Sequence, residues 1–422
     1  MDIIIRAAKL IEPNNPLHEQ MVDVGVSGGK IKEIGKNLTK GKAKEIHSEN
    51  LHICAGWMDI LPNFCDPGNE HKEDLKSGVN AAAAGGFTAV ALSPSTLPAV
   101  DNKSMVEYII NATEKSIVKV YPSGTVSTQK KGEDLAELFD MHLSGARVFT
   151  DDLSAIQNPD LLKRALLYGS SFGALIMNFP NDKNISASGK INESANTANL
   201  GIKTMPALAE EIMLARDLFI AEYTNCKLHI HAISTKKSVE LVREAKKKGI
   251  KVTADVAIAN LVWTDNLLQD FDSNYKLMPP LRTASDLKAL HKGLADGTID
   301  AICTNHRPEN EENKKCEFDF AAFGCTNLET AFSLLNENIF KEGDFNLLYN
   351  KLVAGPRKIL GMSIPEIKVG NTAEISLFDP SKTWTYNESN LQSKSRNNAR
   401  FNSNLTGKVI GIINGTNLFL NN

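Results

Sequence analysis

The chain has no run of about 18 apolar residues, the length a membrane-crossing helix needs, so no membrane association is expected. Its start, Met1-Asp2-Ile3-Ile4-Ile5-Arg6, has no basic region followed by a long apolar core and reads as a strand, not a signal peptide. None of the six cysteines (Cys54, Cys65, Cys226, Cys303, Cys316 and Cys325) forms a C-x-x-C pair. Scattered thiols in a long chain indicate a reducing, cytoplasmic setting and not a disulfide framework. The net charge of −3 leaves no basic footprint for nucleic acid. The triplet Lys246-Lys247-Lys248 ends a helical pattern, where it complements the helix dipole. No G-x-x-x-x-G-K-[ST] loop occurs, and Gly85-Gly86 reads as a helix cap.

What is present is a long alternation of strands and helices between two stretches of β character. The 422 residues suffice for one large domain and a small one. Eight strands are expected at Met58–Pro62, Thr88–Ser93, Val118–Tyr121, Ala146–Thr150, Ala174–Asn178, Lys227–Ala232, Lys251–Val256 and Ile299–Thr304. Amphipathic helices separate them, among them Lys72–Ala84, Pro206–Tyr223 and Lys236–Lys248, and Asn327–Asn338 supplies the helix after the eighth strand. Such alternation implies βαβ units and parallel pairing, and eight units suit either a barrel or an open doubly wound sheet. A further helix is expected over Phe345–Leu360. Hairpins are expected at Gly28-Gly29 and Asn414-Gly415, near the two ends of the chain. Residues 1–55 and 365–422 are therefore assigned to one small β-sandwich, and 56–364 to the large domain.

The stretch Gly56-Trp57-Met58-Asp59-Ile60-Leu61-Pro62-Asn63-Phe64-Cys65-Asp66-Pro67-Gly68 resembles the first barrel strand of the dihydroorotases, which are cyclic amidohydrolases. Met278-Pro279-Pro280-Leu281-Arg282, Asp296-Gly297-Thr298-Ile299-Asp300 and Leu328-Glu329-Thr330-Ala331-Phe332 are similar to that family's wording as well. The resemblance implies an α/β fold, a (β/α)₈ TIM barrel with a small β-sandwich. It also implies zinc held at strand ends, where it makes hydroxide from water and polarises a carbonyl.

Against that pattern, most ligand positions are empty of ligands. The two first-strand His positions hold Leu61 and Asn63. The fifth-strand His is Asn178, the sixth-strand His is Ala232, and the eighth-strand Asp, ligand and general base, is Asn305. From the pair Asp151-Asp152, Asp151 is expected as the surviving bridging carboxylate. An amide cannot take a proton from water near neutral pH, so general-base catalysis at Asn305 is lost. The substrate-pocket positions are remnants too: Cys65 stands for Arg, Ser95 and Met278 for Asn, and His306 remains.

Two readings follow. In the first, the chain is a dihydroorotase homologue without hydrolase activity and without a metal, keeping its association surfaces. The resemblance implies a homodimer and aspartate carbamoyltransferase as an assembly partner. In the second, an active cyclic amidohydrolase holds zinc in a rearranged site of Asp151, His231 and His306. A small-molecule sensor using the remodelled pocket is a third possibility. His229 and His231 share one strand face, opposite that of Ala232 unless a bulge slips the register. Their ordinary reading is as buried, hydrogen-bonded histidines. Asn63, Asn178 and Asn305 are expected to form a neutral polar network in place of the metals. Cys65 has no sequence-defined His beside it to serve as a nucleophile's base. The segment Ser393–Asn404 reads as a surface loop.

Overall fold

The structure is a computed structural model that describes residues 2–39, 41–340 and 343–421; Met1, Lys40, Lys341, Glu342 and Asn422 lie outside it. Eight parallel strands form the barrel, in chain order Trp57–Ile60, Phe87–Leu92, Lys119–Pro122, Val148–Phe149, Leu175–Asn178, Leu228–Ile230, Val252–Ala257 and Ala301–Cys303. The first three pair with one another, and so do the last five. A single bridge, Gly124 to Phe149, joins the third strand to the fourth.

Side chains alternate across each strand, so one face fills the barrel and the other meets the helices. Met58, Ile60, Ala89, Ala91, Met177, Ala257 and Cys303 belong to the interior core. Val90, Ile176, Ile230 and Ile302 pack outward with helix residues such as Ala82, Leu214 and Val242. Ring closure between the first and eighth strands depends on a side chain. Asp59 accepts from the Thr304 amide at 2.8 Å and from its hydroxyl at 2.5 Å. The Asn63 amide adds a bond to the His306 carbonyl at 2.9 Å. Burial pushes the Asp59 carboxyl up to about 7, against the pull of the Thr304 hydrogen bonds.

Both ends of the chain enter one eight-stranded sheet, the small β-sandwich domain. Its order runs Asn417–Leu420, Ser403–Asn414, Glu374–Tyr386, His52–Ala55, Asp2–Leu10, Met21–Ser27, Lys30–Gly35, with Lys44–Ile46 also pairing Asp2–Leu10. Ile5, Val24, Ile53, Leu377 and Ile413 form its separate core. Ser376 ties this sheet to the barrel by accepting from the Trp57 amide at 3.0 Å and donating to the Gly86 carbonyl at 2.7 Å.

Three local expectations need correction. The helix after the eighth strand begins only at Ala331. The expected helix over Phe345–Leu360 is interrupted by a π-helical stretch, Tyr349–Ala354, before Gly355-Pro356 starts a new turn. The segment 393–404 is no exposed loop over its first half. Ser393, Ser395, Asn397 and Asn398 are buried against the barrel, where Asn397 donates to the Arg307 carbonyl at 2.9 Å and Ser395 to the Lys72 carbonyl at 2.7 Å. Polar side chains here satisfy buried backbone carbonyls, a tertiary role their composition does not reveal.

Candidate functional site

The C-terminal strand ends carry an unusual backbone. Leu61, Cys65, Asp152, Ala232 and Asn305 all adopt left-handed conformations, with φ of 57°, 60°, 57°, 54° and 48°. Each such non-glycine residue costs on the order of 1–3 kcal/mol and persists only where surrounding structure enforces it, as at active and ligand sites. Four of the five are positions where the family resemblance places a ligand or substrate-binding residue. Strained backbone and the family's site positions therefore coincide, although the side chains differ from the family pattern.

A cavity of about 260 Å³ opens at these strand ends. Asn63, Cys65, Ser95, Met278 and Asn305 line it, together with Asp152 and Arg307. Arg307 grips Asp152 with two parallel bonds, Nη1 to Oδ2 at 2.7 Å and Nη2 to Oδ1 at 2.6 Å. Its Nε donates to Asn305 Oδ1 at 3.1 Å, and the Asn305 amide nitrogen donates to the Met278 carbonyl at 2.9 Å. Ser93 supplies Asp152 with a further bond at 2.7 Å. Burial opposes ionisation of Asp152, but the Arg307 charge and its hydrogen bonds outweigh this and hold the carboxyl well below the usual carboxylate range. Asn63 accepts from the Cys65 amide at 2.8 Å and donates to the Ser95 carbonyl at 3.3 Å. Lys130 reaches Ser95 Oγ at 2.8 Å; burial lowers its pKa, while Asp152 works in the opposite direction. Burial pushes the Cys65 thiol up to about 12, so it is a poor nucleophile near neutral pH.

The other expected site residues are scattered. Asp151, expected as the bridging carboxylate, turns away from the cavity. It accepts from the Val126 and Ser127 amides, each at 2.9 Å, and from the Ser127 hydroxyl. The acid that faces the cavity is its neighbour Asp152, because the left-handed turn at Asp152 directs the two side chains apart. Leu61 and Ala232 join the apolar barrel interior. Asn178 donates to Asp217 at 2.6 Å and accepts from the Ile156 amide at 3.0 Å. The expected asparagine network is therefore three separate bonded groups. His306, expected in the pocket, is fully buried outside the cavity lining; its Nδ1 accepts from the Asn327 amide at 3.2 Å, and its Nε2 lies 3.6 Å from Glu73. Asp151, His231 and His306 do not form a cluster; among the described residues the grouping with metal-ligand spacing is His229, His231 and Asp255.

Arg307 is the residue the sequence reading passed over. It stands in Thr304-Asn305-His306-Arg307-Pro308-Glu309, where the family pattern has a small residue, and a long cation beside a strand end was the available signal. The geometry also answers whether the family's zinc pair fits the cavity. A zinc ion needs nitrogen, sulfur or carboxylate donors with free lone pairs. Here Asp152 is committed to Arg307 and Ser93, Asn305 to Arg307 and Met278, and Leu61 and Ala232 carry no donor atom. The residues at the cavity do not fit that group.

Comparison with known proteins supplies the lineage. A family model described as "Dihydro-orotase-like" matches residues 52–238. A protein of Trichlorobacter lovleyi named "Dihydroorotase" is 38% identical over 411 residues, covering 96% of both chains. One of the same name from a Thermoanaerobacter species is 40% identical over 394 residues, covering 93% of this chain and 91% of that one. Among solved structures, the L-hydantoinase (dihydropyrimidinase) of Arthrobacter aurescens superposes with a TM-score of 0.85 over 100% of this chain and 96% of its own, at 19% identity. Barrel, sandwich and full-length similarity agree: the chain belongs to the dihydroorotase-like family.

Proposed function

We propose that this dihydroorotase-like chain of the pyrimidine-biosynthesis family does not perform zinc-assisted ring hydrolysis, and that it acts as a structural or assembly partner in the cytoplasm. The observation that carries this reading is the Arg307–Asp152 pair at the cavity, with Asn305 bonded to the same guanidinium. The fixed positive charge of Arg307 stands beside Asn305, the residue at the family's general-base position. Arg307 has no accessible neutral form that accepts a proton, and neither has the Asn305 amide. Both carboxylates of the cavity lining are ion-paired, Asp152 with Arg307 and Glu309 with Lys72. Aspartate carbamoyltransferase as the partner, and a homodimer as the form, rest on the family resemblance alone.

One observation favours a second reading, an active cyclic amidohydrolase. The similar proteins are named dihydroorotase and align along almost the whole chain. An active form would have to draw its base and electrophile from outside the family positions. Incubating the zinc-supplemented protein with dihydroorotate, and separately with carbamoyl aspartate, decides between them. The first reading expects no interconversion above buffer. Turnover that persists on repurification and is lost in Arg307→Ala would establish the second. Co-elution with an aspartate carbamoyltransferase on size-exclusion chromatography tests the assembly role, and the elution mass tests the dimer.

A further inference from the structure

We infer that the chain holds a divalent cation of zinc type in the barrel wall, bound by His229, His231 and Asp255. The site is separate from the cavity, whose lining includes none of these residues.

The strand register places the three groups together. His229 pairs with Met177 and Thr253 in parallel register, so it shares their interior-facing side; His231 lies two residues on, and Asp255 two residues beyond Thr253. All three residues are completely buried.

His231 Nδ1 and Asp255 Oδ2 are a hydrogen-bonded pair, and the same spacings also suit a metal. Asp255 Oδ2 lies 3.3 Å from His229 Nε2 and 3.0 Å from His231 Nδ1. Zinc with bonds of roughly 2.0–2.1 Å in a tetrahedron separates its nitrogen and oxygen ligands by about 3.3 Å. His229 Nε2 has no hydrogen-bond partner, despite its nearness to that carboxylate, while His229 Nδ1 is fixed at 2.8 Å from Thr253 Oγ1. A ring held through one nitrogen, with the other bare and aimed at a carboxylate, is the arrangement by which proteins orient a ligating imidazole. The other Asp255 oxygen accepts from the Ala232 amide at 2.5 Å, which fixes the carboxylate in turn.

Charge supports the same conclusion. A buried carboxylate without a compensating cation is costly. Zn²⁺ beside the Asp255 carboxylate would supply that cation. Two imidazole nitrogens and one carboxylate oxygen suit zinc, whereas hard cations such as magnesium prefer oxygen ligands. The ligands come from the sixth and seventh strands, which a bound ion would tie together.

The test is metal content and ligand identity in full-length protein purified without chelator from zinc-supplemented cells. About one zinc per chain is expected, with an absorption-edge spectrum showing nitrogen and oxygen neighbours that include two imidazoles. His231→Ala should lower zinc content at least tenfold. Asp152→Ala should leave it unchanged. Zinc-free wild-type protein overturns the proposal, and so does zinc lost in Asp152→Ala but kept in His231→Ala. The second result would place the metal in the cavity and count against the proposed function as well, whereas zinc-free protein would leave that function standing. Should His231→Ala fail to fold, the spectrum of the wild-type protein decides alone.

Discussion

Two buried carboxylates sit at C-terminal ends of barrel strands in opposite situations. Asp152 has its charge met by a protein cation, the bidentate Arg307, and a hydroxyl from Ser93. Asp255 faces two imidazoles, each with an unpartnered Nε2, and among the described residues no Arg or Lys bonds to it. The same barrel thus meets a buried negative charge in two ways. At the cavity, the Arg307 guanidinium supplies the cation. In the wall, donors stand together without a protein cation among them. The difference shows that one barrel can meet a buried carboxylate with an arginine at its mouth and surround another with imidazoles in its wall.

The contrast is sharpest when Arg307 is removed. Arg307→Ala leaves Asp152 buried and unpaired, and about 3–5 kcal/mol of stability should be lost, measured by urea unfolding. The double variant Arg307→Ala with Asp152→Ala should recover most of that loss. The pH dependence has a definite sign. The native Asp152 carboxyl is depressed, so its contribution is present above the unfolded value of about 4 and fades as pH falls toward the native value. Acid unfolding of the wild type should therefore begin below about pH 4, and removing Arg307 should move it upward.

Asp59 is a third buried carboxylate, and its sign is opposite. Its native carboxyl is raised to about 7 by burial. The stability it contributes is complete below about pH 4 and is lost as pH rises through about 7. Asp59→Asn keeps one acceptor for Thr304, should cost about 1 kcal/mol in mild acid, and should flatten the decline between about pH 4 and 7. A melting-temperature series across pH for both proteins checks this.

Smaller effects concern the cavity rim. Asn397→Ala leaves the Arg307 carbonyl and the Glu309 amide without the bonds they now make, at a cost of about 1–2 kcal/mol. Least affected is thiol chemistry. Cys316 is exposed, whereas Cys65 is buried with its thiol raised to about 12. Mass mapping after brief alkylation near neutral pH should find Cys316 modified and Cys65 almost untouched, which would separate an inert cavity thiol from a nucleophile.

Much of this was legible in the sequence. All eight barrel strands overlap the stretches that alternation marked, four of them running one residue past an expected end, because helix and strand periods differ strongly over units of this length. The ends of the chain joined one sheet, as their β character implied. The failed ligand positions Leu61, Asn63 and Asn305 could be read directly against the family pattern. What could not be read was side-chain direction. Asp151 and Asp152 are adjacent, and only the left-handed turn at Asp152 decides which one faces the cavity. Arg307 follows two residues after Asn305, but its reach across to the fourth strand is a tertiary fact. His306 sits beside the cavity residues in sequence and yet packs behind them against Glu73 and Asn327. The burial of Ser393–Asn398 escaped for the same reason: serine and asparagine look exposed until the carbonyls they satisfy are seen.

The central claim is that the cavity, with Arg307 on Asp152 and an amide at residue 305, no longer supports metal-assisted hydrolysis. The most direct measurement is the interconversion of dihydroorotate and carbamoyl aspartate by zinc-supplemented protein, followed at both acidic and alkaline pH. The account predicts a rate indistinguishable from buffer in both directions. Turnover that scales with protein concentration and disappears on chelation would contradict it.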